Sequence, residues 1–130
     1  MAPTKPLPTP SEMEILRVIW DRGPSTVREV YNTLKADREI GYSTVLKFMQ
    51  IMTRKGTLVR DARVRPQIYR APQAKESTQR SIVRDVVARV FGGSPASLVM
   101  HALSDPKATP DERRRIRELL DEIDHKKAPR

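Results

Sequence analysis

Apolar residues in this chain recur at helical spacing in three stretches before residue 56, alternate with polar ones for a short interval, and then return to helical spacing. Met13, Leu16, Ile19 and Trp20 share one side of a first helix predicted from residue 10 to about residue 21, where Gly23-Pro24 stops it. Val27, Val30, Tyr31 and Leu34 form an i, i+3, i+4, i+7 stripe for a second helix. A third is predicted from near Ser43 to just before Gly56, a residue suited to a left-handed C-terminal cap, with Val45, Met49 and Met52 turned toward the first two. Residues 57–60 and 67–70 are rich in β-branched types and alternate in polarity, which predicts two strands joined by a turn over residues 62–66. Helical spacing resumes at Lys75, with Ile82, Val83, Val86, Val87, Val90 and Phe91 on one broad face closed by Gly92-Gly93. A short helix follows Ser94-Pro95 and carries Leu98, Val99, Ala102 and Leu103; a last one carries Ile116, Leu119, Leu120 and Ile123.

Helix starts are marked by Thr-x-x-Glu boxes at Thr9/Glu12, Thr26/Glu29 and Thr109/Glu112. In each box a hydroxyl and a carboxylate satisfy N–H groups that the first turn leaves without partners. Pro10 and Pro110 occupy the first helical position, where the missing N–H costs nothing. The expected fold is mainly α with a small β wing: a leader over residues 1–7, disordered because of its proline content, a winged helix-turn-helix over 8–74, and a three-helix region over 75–130.

Charge sharpens that picture. The chain carries a formal +9, and between residues 40 and 70 seven cations (Lys47, Arg54, Lys55, Arg60, Arg63, Arg65, Arg70) face one acid, Asp61. A polyanionic partner follows, although charge alone does not separate DNA from RNA or an anionic membrane surface. A helix followed by a basic hairpin is the way a winged helix-turn-helix meets DNA. On the third helix Thr44, Lys47, Phe48, Ile51 and Lys55 form a face that mixes a hydroxyl, cations and large apolar groups. In a major groove Lys47 can donate to guanine, Thr44 can serve either base, and Phe48 or Ile51 can meet thymine methyls. Ser43 and Arg54 extend this set, and Arg63 and Arg65 at the wing tip are expected on phosphates or in a narrow minor groove. The alternative is that Phe48 and Ile51 widen the core while Lys47 is a solvated charge.

The C-terminal third is too short to close a core readily without disulfides, metal or a second chain, and cysteine is absent. Val83, Val86, Val87, Val90, Leu98, Leu103, Ile116, Leu119, Leu120 and Ile123 are therefore expected to form a homodimer interface. Folding back on the N-terminal unit as a monomer is the alternative.

Other classes fare less well. Without cysteine there is no thiol chemistry, and neither His101 nor His125 sits in a triad or metal-ligand spacing; no glycine-rich phosphate loop occurs. We expect no enzyme, no metal and no cofactor. Single-stranded RNA readers present stacking aromatics, whereas Tyr42, Phe48 and Tyr69 are scattered. A general nucleic-acid binder and a small-molecule-responsive winged helix stay open. The start of the chain lacks a signal-peptide core and no run reaches the roughly 18 apolar residues of a membrane span, so a cytoplasmic location without membrane insertion is expected.

Several stretches resemble the penicillinase and methicillin-resistance repressors. They are Pro8-Thr9-Pro10-Ser11-Glu12-Met13-Glu14-Ile15-Leu16 through Ile19-Trp20, Thr26-Val27-Arg28-Glu29-Val30, Tyr42-Ser43-Thr44-Val45-Leu46 through Lys55-Gly56, Tyr69-Arg70, Phe91-Gly92-Gly93-Ser94 and Leu98-Val99. The resemblance implies a homodimeric repressor on palindromic double-stranded operator DNA, inactivated when a membrane metalloprotease sensor leads to its cleavage. By position the scissile bond falls between His101 and Ala102, where the best-known members have an Asn-Phe pair. Ile51 also departs from the arginine of many relatives. The copper-responsive branch uses a cysteine-rich tail, which this chain lacks.

Overall fold

In a computed structural model, residues 7 to 127 are described; the expected leader, apart from Leu7, lies outside them. The elements run α1 (Pro10–Arg22), α2 (Val27–Lys35), α3 (Tyr42–Lys55), β1 (Val59–Asp61), β2 (Ile68–Arg70), α4 (Lys75–Val90), α5 (Pro95–Leu103) and α6 (Pro110–Lys127). They fall into two compact units, one through Ile82 and one from Val83, so the division lies within α4.

The first unit is built on α1, α2 and α3, each packed on the other two. Its core holds Ile15, Leu16, Val18, Ile19, Val27, Val30, Leu34, Val45, Met49, Met52, Leu58 and Tyr69. Both expected N-terminal capping boxes form: Thr9 with Glu12 and Thr26 with Glu29. The Thr26 backbone N–H, donating to Glu29, holds that carboxyl below its ordinary range, helped by Arg22. The folded value is lowered, so this contribution exists at neutral pH and is lost as pH falls through it.

α3 ends as its sequence predicts, since Gly56 takes φ 86°, a left-handed conformation that a side chain would strain. The cap extends further than expected. The N–H groups of Thr57 and Leu58 both donate to the Met52 carbonyl, at 2.9 and 3.3 Å. Those residues therefore belong to the cap, and β1 starts two positions later than the polarity pattern suggests. β1 and β2 pair antiparallel with Val59 opposite Arg70, Arg60 opposite Tyr69 and Asp61 opposite Ile68. Tyr69 also pairs with Ser25, donating to its carbonyl at 2.8 Å and accepting from its N–H at 2.9 Å. The segment ahead of α2 is thus tied to the wing by backbone hydrogen bonds.

Expected burial is corrected at three aromatic or sulfur positions. Met13, Trp20 and Tyr31 are only half-buried, while Ile15, Val18 and Glu12 are buried instead. Trp20 keeps its edge at the surface because its indole N–H donates to the Gln73 carbonyl at 3.1 Å, fastening the segment that follows β2. An indole with a polar tip is well suited to such a boundary.

In the second unit α5 and α6 join the last turns of α4. Gly92 and Gly93, at φ 58° and 84°, make the turn between α4 and α5, and the Gly93 N–H donates to the Val87 carbonyl at 2.8 Å. The Phe91 and His101 rings meet at 5.4 Å between centroids. The third capping box forms as well, with Thr109 and Glu112 exchanging hydrogen bonds at 3.1 Å. Among the described apolar residues here only Val87 is buried; Val83, Val90, Leu119, Leu120 and Ile123 are exposed, and Val86, Leu98, Leu103 and Ile116 are half-buried. Among the described residues no single helix is long and apolar enough to cross a membrane; α4 and α5 reach the threshold only as a bent pair.

Candidate nucleic-acid interface

At about 100° per residue, a 14-residue helix has room for one buried and one solvated face. On α3 Val45, Met49 and Met52 are fully buried, and Ser43, Thr44, Lys47, Gln50 and Arg54 are exposed. Ser43, Lys47, Gln50 and Arg54 follow i, i+4, i+7, i+11, so they lie in one line, with Thr44 and the half-buried Ile51 beside it. Every exposed side chain in that line can donate a hydrogen bond, and none is acidic. Gln50 was missed by the sequence reading, though its spacing from Ser43 and Lys47 could have found it. Its amide can bond the N6 and N7 edge of adenine in a bidentate manner.

Two residues expected on this face turn elsewhere. Phe48 packs against the core, in keeping with its position at the edge of the buried face. Lys55 donates from Nζ to Glu12 Oε2 at 2.9 Å, and the Glu12 side chain is only 3% exposed. Glu12 is thus shared: Oε1 accepts the Thr9 N–H at 3.2 Å to cap α1, and Oε2 holds the end of α3. A nearly buried carboxylate needs this partner to offset desolvation. Glu12→Ala should lower the unfolding free energy by about 2 kcal/mol, because it removes both a cap bond and the partner of Lys55; urea denaturation reads it.

On the wing, Asp61 pairs with Arg63, Nε to Oδ1 at 3.1 Å. The hydrogen bonds from the Arg63 side chain and backbone hold the Asp61 carboxyl below its ordinary range and push the arginine up. The arginine side chain is 89% exposed, so the pair adds little stability. Its consequence is local neutralisation of one of the two arginines at the tip. Arg65 donates to the Ala62 carbonyl at a long 3.5 Å. Arg60 and Arg70 are exposed on the strands. Asp61→Asn should tighten binding to any duplex about three- to tenfold at low salt and steepen its salt dependence, since one cation per chain becomes free for phosphate. An unchanged salt slope would count against a role for the wing in DNA binding.

A separate groove of about 390 Å³ runs between α1 and α2 and is lined by Glu14, Arg17, Asp21, Arg22, Asp37 and Arg38 among others. Two of its arginines are already paired, Arg38 with Glu14 and Arg22 with Glu29.

His101 and Ala102 lie in the last turn of α5 with exposed side chains. His101 Nδ1 is 2.8 Å from the Ser97 carbonyl, and the Asp105 N–H donates to the Ala102 carbonyl at 3.4 Å.

Three packed helices, a two-stranded wing and a third helix whose exposed face carries no acid define a winged helix-turn-helix protein. The chain belongs to the penicillinase repressor family, whose family model matches residues 8–122. That is a family of transcriptional repressors. No curated protein matches the chain.

Proposed function

We propose that the protein is a homodimeric transcriptional repressor that reads a palindromic operator in double-stranded DNA through α3 and steadies itself with the wing. The observation that carries this reading is the line Ser43, Lys47, Gln50, Arg54, with Thr44 beside it: donors aimed outward from a helix whose opposite face is locked into the core. Ser43, Thr44, Lys47, Gln50 and Ile51 contact bases, Arg54 lies at the helix end nearer the backbone, and Arg63 and Arg65 meet phosphate or the minor groove. Phe48 and Lys55 act from beneath, by setting the angle of the helix.

The exposed apolar face of the second unit supports self-association, since Val90 is 68% and Leu120 52% exposed in the single chain. Two copies would set their α3 helices about 34 to 36 Å apart, one DNA turn. Release is by cleavage at His101-Ala102, linked to a membrane metalloprotease sensor. Because that bond sits in a hydrogen-bonded helical turn, the turn must open before a protease can grip it, and helix ends are where opening costs least.

The test is fluorescence anisotropy at about 150 mM salt on a duplex from the chain's own upstream region and on a shuffled duplex. A preference of roughly 10³-fold or more is expected of a specific regulator. Equal weak binding to both would favour a general nucleic-acid binder.

A further inference from the structure

Arg28 stands outside both the α3 line and the wing, yet its position is strongly defined. Its guanidinium carbon lies 4.4 Å from the Tyr42 ring centroid and 5.7 Å from that of Tyr31. The two rings themselves meet edge to face, 5.7 Å between centroids at 82°. Lys35 brings Nζ to 5.0 Å from the Tyr31 ring. Arg28, Tyr31 and Lys35 are spaced i, i+3, i+7, so they run along one face of α2, and Tyr42 is the first residue of α3.

Four acids of this unit, Glu12, Glu14, Glu29 and Asp61, are paired with other cations. Arg22 pairs with Glu29 and Arg38 with Glu14, whereas among the described residues neither Arg28 nor Lys35 has a carboxylate within ion-pair distance. Both remain exposed. Stacking on a ring engages the face of a guanidinium and leaves its five N–H groups, which lie in its plane, free to donate. It also removes rotamer freedom before any partner arrives, which lowers the cost of binding. An exposed cation over a ring contributes only about 0.5 to 1 kcal/mol, so stability alone is a weak reason for this arrangement.

We propose that Arg28 and Lys35 form a phosphate-contact strip on α2 that grips the DNA backbone beside the start of α3, apart from the base-reading line and from the wing. The proposal rests on the DNA-binding reading above. Arg28, fixed beside Tyr42, takes one phosphate next to the exposed Ser43 and Thr44; Lys35, two turns along α2, takes a second. The strip fixes the register of α3 in the groove and carries no sequence information of its own.

The test titrates wild type, Arg28→Ala, Arg28→Lys and Lys35→Ala against the upstream and shuffled duplexes over a series of salt concentrations. Each alanine variant should weaken binding to both duplexes about tenfold and leave their ratio unchanged. The slope of log K against log salt should become shallower by about 0.9 per phosphate lost, or about 1.8 for a dimer. Arg28→Lys should keep the slope while losing part of the affinity, because charge survives and stacking does not. If Arg28→Ala fails to fold in a thermal melt, Arg28→Gln carries the same expectation. Slopes equal to a steep wild-type slope overturn the strip and leave the DNA reading standing, as would a change in the specific-to-shuffled ratio alone. A wild-type chain that binds neither duplex overturns both.

Discussion

Replacing Thr44 and Lys47 together by alanine is expected to lower affinity for the specific duplex by roughly 10²-fold or more while affinity for shuffled DNA falls only a few-fold. Each base contact contributes about 1 to 3 kcal/mol of discrimination, and both side chains belong to the exposed face of α3, so neither removal opens a cavity. Thr44 has a second attraction as a target: it lies one turn before Phe48, which anchors the helix to the core, and so its hydroxyl is offered from a well-supported segment. The melting temperature should stay within a degree or two of wild type, because substitutions at exposed sites away from caps shift stability by about 0.5 kcal/mol at most. Anisotropy on the two duplexes, with a melt beside it, separates the outcomes. Equal losses on both duplexes would mean that α3 holds DNA without reading it.

The second large effect is expected from Leu120→Glu. In the single chain Leu120 is half-exposed on α6 in line with Ile116 and Ile123, so a glutamate is tolerated within one copy. At a closed interface between two copies, the same glutamate would bury an unpaired charge on each side of the symmetry axis. Such burial costs several kcal/mol, enough to raise the dimer dissociation constant about 10³-fold or more. Sedimentation equilibrium should report a dimer for the wild type and a monomer for the variant at the same concentration, with helix content unchanged by circular dichroism. Operator affinity should fall with it, since two half-sites would no longer be held at fixed spacing. A variant as dimeric as wild type would place the interface off this face of α6.

Local chemistry in the sequence anticipates much of the fold. The three capping boxes, the Gly56 cap and the helices themselves depend on residues within a few positions of one another, and all of them form. What the sequence conceals depends on distance along the chain. Glu12 reads as a cap residue, and nothing near it announces that its second oxygen will hold Lys55, 43 positions later. Lys55 therefore reads as a groove-facing cation. Phe48 sits where the two faces of α3 meet, so periodicity alone leaves its side open and packing decides it. The grouping of Arg28 with Tyr42 is equally invisible, because it requires two helices to meet first. Gln50 is the opposite case: its helical spacing from Ser43, Lys47 and Arg54 is legible in the sequence, and only its neutral amide sets it apart from the cations in that line.

Tyr69 has a bearing on how such a protein could be re-engineered. One residue of β2 is hydrogen-bonded to Ser25 on one side and lies opposite Arg60 in β1 on the other, with its ring 3% exposed in the core. The hairpin is consequently no detachable module. Exchange of the tip between Asp61 and Ile68 would give a graft whose ends are already paired, whereas a splice at Tyr69 would cut the seam joining the hairpin to the helices. Libraries that seek new DNA preferences should accordingly vary residues 62–66 and the outward line of α3, and hold Ser25 and Tyr69 constant.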